Sequence, residues 1–134
     1  MLTPSELLSM PEDAYMNEAQ LAFFKQLLEQ QLDTLQANML LTSTHLHEQQ
    51  ETPDPADRAT QEETHGLELR TRERERKHIK TIQSALLRIA QGQYGYCEET
   101  GEPIGLARLF ARPATKLCLE AQERHERRER LFNH

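Results

Sequence analysis

The cysteines carry the sharpest chemical pattern in this chain. Cys97-Glu-Glu-Thr100 and Cys118-Leu-Glu-Ala121 are two zinc-knuckle halves, 21 residues apart, each with its second ligand replaced. A structural zinc takes four donors, and an Ala methyl is no donor at all. His125 stands seven residues from Cys118, outside ordinary ligand spacing. The pattern predicts no metal: Cys97 and Cys118 become small buried thiols, with Thr100 hydrogen-bonded locally.

The remaining chemistry is acidic. The six histidines, among them His45, His47, His65 and His78, form no ligand cluster and read as parts of solvated helix faces. No nucleophile has a base beside it, and neither a phosphate-cradling Gly loop nor a two-His helix motif occurs, so the chain reads as a non-enzyme. What is left is Glu51-Thr-Pro-Asp-Pro-Ala-Asp-Arg-Ala59. Asp54 before Pro55 suits an N-cap, whereas Asp57 is less fully explained by capping. Two carboxylates at such a turn can meet basic groups or a bound metal ion in a partner's cavity.

Two long helices must position that turn. Leu21, Phe24, Leu28, Leu32, Leu35, Met39, Thr42 and Leu46 recur in steps of three or four, and no Gly or Pro interrupts residues 17–51. A helix of about 35 residues spans roughly 50 Å. Asn17 and Gln20 resemble a capping box, with Met16 placed to staple onto Leu21. Pro53 and Pro55 end this helix. The second runs from Pro55 to about Gln91, with Ile79, Ile82, Leu86 and Ile89 at coiled-coil spacing, Leu67 and Leu69 the only large aliphatics before them, and Gly66 a candidate bend. Glu68 to Arg72 and Glu73 to Lys77 are spaced for i,i+4 pairs worth ~0.2–0.5 kcal/mol each.

Gly92 suits the C′ position that ends the second helix. A denser lobe follows, closing with a helix from about Thr115 to Phe132 in which Glu120, Glu123 and Glu126 precede Arg124, Arg127 and Arg130 by four. The expected fold is mainly all-α: a long antiparallel coiled-coil hairpin projecting from a small globular lobe with a degenerate zinc-finger-like loop and a C-terminal helix. Residues 1–16 form an N-terminal segment packing on the lobe, 17–91 the coiled coil with its tip at 52–59, and 92–134 the zinc-finger-like region with the last helix.

Composition agrees with an elongated helical protein. Apolar residues make up 37% and charged residues 28%, with no Trp and seven other aromatics, too few for a sizeable single core. Residues 1–64 carry 2 basic and 12 acidic side chains (net −10), residues 65–134 carry 14 and 10 (net +4), so the halves attract. No Lys/Arg block supports direct DNA binding, and no apolar run approaches the ~20 residues of a membrane span. Met1 to Met10 lack signal-peptide character, which makes the cytoplasm the expected compartment.

Several stretches together resemble the DksA/TraR family: Tyr15-Met-Asn-Glu-Ala-Gln-Leu21, Asp54-Pro-Ala-Asp-Arg-Ala59, Gln61-Glu-Glu63, Leu67-Glu-Leu-Arg70, Arg72-Glu-Arg-Glu-Arg-Lys77, Gly95-Tyr-Cys97, Ile104-Gly105 and Ala111-Arg-Pro-Ala-Thr115. The resemblance implies a bacterial transcription factor that binds RNA polymerase rather than DNA, with its coiled coil in the secondary channel. It also implies action with guanosine tetraphosphate (ppGpp) in the stringent response, lowering ribosomal RNA transcription and raising that of amino-acid biosynthesis promoters.

By position, Asp54, Asp57 and Ala59 match the family's functional tip, and Arg70 and Arg74 match arm residues on the channel rim. Arg112 matches a ppGpp contact, His78 stands where the family has an aliphatic residue at that site, and Thr81 and Gln122 stand where it usually has Lys. Family members usually carry four Cys at Cys97, Thr100, Cys118 and Ala121, so the resemblance is to a zinc-independent member. A transcript-cleavage factor of the Gre type and a dimerising structural coiled-coil adaptor are the rival readings; the Asp-Pro-x-Asp tip favours the first reading, and a monomer is expected.

Overall fold

In a computed structural model of the chain the described residues are 2–48 and 55–132, with side chains described for 2–41 and 58–132. Asp54 and the side chains of Thr42, Leu46 and Asp57 therefore lie outside the described part. The elements are α1 (Pro4–Leu8), a 3₁₀ turn (Glu12–Ala14), α2 (Glu18–Glu48), α3 (Pro55–Ala90), α4 (Leu106–Ala111) and α5 (Leu119–Phe132). The two long helices pack against each other, and α1 packs on α4.

Helix α2 starts where the capping signal lies. The Gln20 amide N–H donates to Asn17 Oδ1 at 2.8 Å, and the Gln20 side chain accepts from the Met16 amide at 2.6 Å. It reaches Met16 because the Asn17 amide already donates to the Ala14 carbonyl at 3.1 Å. Gln20 is fully buried, its Nε2 lying 3.4 Å from Met10 Sδ. At the other end of the hairpin base, Gly92 (φ +75°) is the C′ residue of α3. Its amide donates to the Ile89 carbonyl at 3.2 Å and that of Gln93 to the Arg88 carbonyl at 2.9 Å, the paired bonds of a Schellman motif.

The core sits where the hairpin base meets the lobe. Phe24 and Leu28 of α2, Ile82 and Ala85 of α3, Leu109 of α4 and Ala121 of α5 close around Tyr94, with Leu7 arriving from α1. Fully burying one such Phe, Leu or Ile contributes about 1.5–3 kcal/mol. Phe24 meets Tyr94 at a centroid distance of 5.7 Å, and Phe23 stacks on Phe110 at 6.3 Å.

Along the arm the α3 side of the seam is polar. Leu67 and Leu69 are 59% and 46% exposed, while Glu68, Arg72 and Glu75 are half-buried. The line through Ile89, Leu86, Ile82 and Ile79 continues to 75, 72 and 68, so the two leucines flank the seam instead of filling it. Glu73, expected to pair with Lys77, meets Arg76 at 3.6 Å, three residues on. The last helix begins at Leu119, not Thr115. The Thr115 hydroxyl engages Leu117 through its carbonyl at 3.2 Å and its amide at 3.4 Å, and the Lys116 carbonyl is taken by the Glu98 amide at 2.8 Å. Helix α4 was not foreseen as a separate element.

Met16 joins the chain's beginning to the lobe. It adopts φ +55°, and a Cβ placed on Gly95 (φ +94°) falls 2.6 Å from Met16 Cγ and Sδ and 3.3 Å from the Tyr15 hydroxyl. Backbone strain and overpacking then act together, so Gly95→Ala lowers unfolding free energy by about 3 kcal/mol. Urea unfolding measures it; a midpoint unchanged from the parent contradicts the contact.

Candidate functional site

The degenerate knuckle is a packed joint. Cys97 and Cys118 are free and 3% and 9% exposed, and the Thr100 hydroxyl lies 4.0 Å from Cys118 Sγ while accepting the Glu102 amide at 3.2 Å. Ala121 is fully buried, its methyl group part of the core. The four positions thus offer two thiols, one hydroxyl already in use and one methyl, which do not fit a four-ligand zinc. Among the described residues no group of three or more His, Cys, Asp or Glu side chains is placed to hold a metal.

Carboxylates tie the same loop down instead. Glu99 binds His125 and also meets Arg124 at 3.6 Å, and Glu98 meets Lys116 at 3.3 Å. Arg124 therefore turns to the knuckle loop, and His125 is half-buried in an ion pair, not simply solvated as expected. The His125 hydrogen bond, with the charges of His125, Arg124 and Arg128, holds the Glu99 carboxyl below its ordinary range.

Burial pushes the Cys97 thiol up, but hydrogen bonds from the Cys118 amide, the Thr100 hydroxyl and the Thr100 and Glu99 amides outweigh it and bring it to about 6. A depressed folded-state value stabilises the fold fully above the unfolded thiol's value of ~8.5, and that stability is lost as pH falls through about 6. The melting temperature of the parent therefore rises between pH 6 and 9 more steeply than that of Cys97→Ser. Parallel curves for the two proteins count against the thiolate.

A cleft of about 420 Å³ opens between α3 and the segment after α4. His78, Thr81 and Arg112 share its lining with Gln31, Pro113 and Thr115. The structure brings these three sequence-predicted residues together; Gln122 lines an adjoining cleft. Tyr94 fixes the Arg112 side, its hydroxyl donating to the Pro113 carbonyl at 2.6 Å. Burial, with Tyr15 nearby, pushes the Tyr94 phenol above its ordinary value, so it remains a donor. Tyr15, in turn, binds the Gly95 carbonyl and accepts the Gly105 amide at 3.0 Å.

On the arm, Arg70 and Arg74 are exposed and one helical turn apart on α3, and Arg74 Nη2 donates to Thr71 Oγ1 at 3.5 Å. Ala59 is exposed near the start of α3, and Asp57 belongs to its first turn. The roles of Glu98, Glu99 and His125 escaped the sequence reading. The one available signal was two adjacent acids facing a basic last helix across a gap in the ligand pattern.

The arm and lobe each match a family description. Residues 20–89 match the N-terminal domain of DnaK suppressor protein DksA, and residues 92–127 match the prokaryotic dksA/traR C4-type zinc finger. The chain is 52% identical over 121 residues to the RNA polymerase-binding transcription factor DksA of Caulobacter vibrioides, covering 90% of this chain and 85% of that protein. It is 46% identical to the one from Escherichia coli, over 90% and 80%. The solved structure of transcription factor DksA2 from Pseudomonas aeruginosa superposes with a TM-score of 0.87 at 48% identity, covering 96% of this chain and 99% of that one. The relatives are named as transcription factors, and the family is one of transcription factors, not enzymes. The chain belongs to the DksA family.

Proposed function

We propose that this protein regulates transcription by binding RNA polymerase through its secondary channel, and that it does so without zinc. The observation that carries the first part is the hairpin of α2 and α3 in a chain 52% identical to a relative named RNA polymerase-binding transcription factor. In this reading Arg70 and Arg74 meet the channel rim, and Asp54, Asp57 and Ala59 reach the active-site region at the tip. Promoter complexes are destabilised there, which represses ribosomal RNA promoters and activates amino-acid biosynthesis promoters. The protein acts as a cytoplasmic monomer with no direct contact to DNA. Among the described residues no helix is long and apolar enough to cross a membrane.

The alarmone ppGpp is the proposed effector, held between polymerase and the cleft containing His78 and Arg112. Arg112 supplies a planar cation suited to phosphate. Support for zinc independence comes from the buried Ala121 methyl and from the Glu99 and Glu98 pairs that bind the loop to α5 and Lys116.

The test is transcription from a ribosomal RNA promoter after exhaustive dialysis against a strong chelator, with circular dichroism alongside and ppGpp present or absent. Helicity within about 5% of the untreated protein and unchanged repression are the expected results, because no donor set is emptied. Loss of fold or of activity on chelation ends the zinc-independent reading, and absence of repression under all conditions ends the regulatory one.

A further inference from the structure

Two thiols are too few for zinc and enough for a different kind of ion. Cys97 and Cys118 are both free and buried, and both sulfurs lie against one hydroxyl: that of Thr100 is hydrogen-bonded to Cys97, and its oxygen stands 4.0 Å from Cys118 Sγ. The Cys118 amide also donates to the Cys97 sulfur, which brings the two residues into direct contact across the joint. Their backbones are clamped beside that contact, where the Glu98 amide donates to the Lys116 carbonyl at 2.8 Å. Cys118 is the residue before α5, and its carbonyl accepts the Gln122 amide at 3.0 Å as the first bond of that helix. Its thiol therefore sits at the positive end of a 14-residue helix, a setting that favours thiolate. Arg88 brings a full positive charge to the residue preceding Cys97, its Nη2 donating to the Tyr96 carbonyl at 2.7 Å.

We infer that Cys97 and Cys118 together bind one soft monovalent ion, Cu(I), through their two sulfurs. Thiolate ligands select Cu(I) by softness, and this ion is satisfied by two sulfurs in line. The other two knuckle positions hold the coordination number down: the Thr100 hydroxyl is a hard oxygen that already accepts the Glu102 amide, and Ala121 contributes a methyl group. Zinc, which takes four donors, is thereby left out. On binding, both thiols give up their protons and the complex carries a net charge of −1, which the amides, the helix end and Arg88 offset. A cleft of about 470 Å³, lined by Arg88, Gln93, Tyr96 and Glu98, has Cys97 in its wall and gives a small thiol carrier a place from which to pass the ion. The bound ion ties the knuckle loop to the start of α5, the same two segments that Glu99 joins to Arg124 and His125. None of this depends on polymerase.

The experiment is anaerobic titration of the purified protein with Cu(I) held by bicinchoninate, whose colour fades as the protein takes the ion, followed by X-ray absorption at the copper edge. The expected product is a monomer with one ion per chain and two sulfurs around it, and its melting temperature exceeds that of the metal-free protein because the ion binds only the folded state. Cys97→Ser and Cys118→Ser each weaken binding by about a hundredfold or more, since one sulfur remains, whereas Thr100→Ala stays within about fivefold. Circular dichroism checks that the variants fold, and the edge spectrum of the parent identifies the ligands without any substitution. Zn(II) offered under the same conditions is not retained. The inference is overturned if the protein fails to draw Cu(I) from bicinchoninate, if nitrogen or oxygen in the copper shell reveals capture by histidine, if half an equivalent of copper bridges a dimer, or if zinc is held as tightly as Cu(I).

Discussion

In Asp57→Asn, repression of a ribosomal RNA promoter falls by about tenfold or more while affinity for polymerase stays within about threefold of the parent. The substitution keeps the shape of the side chain and removes its charge. Asp57 lies in the first turn of α3, where a carboxylate is worth about 0.3–1 kcal/mol through the helix dipole, too little to unfold the arm. Arg70 and Arg74 lie 13 and 17 residues further along the same helix, about 20 and 25 Å away. Binding and regulation therefore depend on separate stretches of α3. Asp54 gives a less clean result, because an aspartate ahead of Pro55 also suits an N-cap. Quantitative pull-down with polymerase beside multi-round transcription decides the matter, and a binding defect as large as the regulatory one removes Asp57 from its proposed role.

The second large effect is a gain. Thr100→Cys combined with Ala121→Cys binds one zinc per chain, raises the melting temperature by about 10 °C or more, and makes the fold sensitive to chelators for the first time. The Thr100 side chain already touches the Cys118 sulfur, and the Ala121 methyl is buried in the cluster that includes both cysteines. The amides of Cys118, Thr100 and Glu99 that point at the Cys97 sulfur stabilise a thiolate, the form a metal requires. Without metal the double variant is somewhat less stable than the parent, since Ala121 has no room for sulfur. Metal analysis after gel filtration provides the readout. A folded double variant that takes up no zinc shows that the four positions do not converge on one point.

What the sequence disclosed was local. The Asn17–Gln20 box, the start of α3 at Pro55, the Gly92 cap and the stripe through Phe24 and Leu28 each depend on neighbours within a turn or two, and their spacing carries the information. Contacts between distant segments left no such trace. Nothing near Met16 announces that it will cross Gly95, and nothing near His125 announces Glu99, because each pair meets only after the hairpin closes and the lobe folds onto it. Leu67 and Leu69 are aliphatic but stand one residue to either side of the seam at 68, a register that becomes visible only when the two helices pack. For the cleft, the grouping of His78, Thr81 and Arg112 followed from family resemblance, while Gln31 required coordinates to be seen as their neighbour.

The contribution of the first residues to the lobe has a consequence for how the molecule folds. A finger closed by a metal carries its own cross-link and is stable with little help from the remainder of its chain. Here Leu7, Tyr15 and Met16 complete a core most of whose other members, from Ile82 to Ala121, lie more than 60 residues later, so the lobe has no independent existence. Its folding waits on the base of the hairpin, and the two ends of the chain melt together as one cooperative unit, leaving the polar-seamed arm as the part that opens on its own.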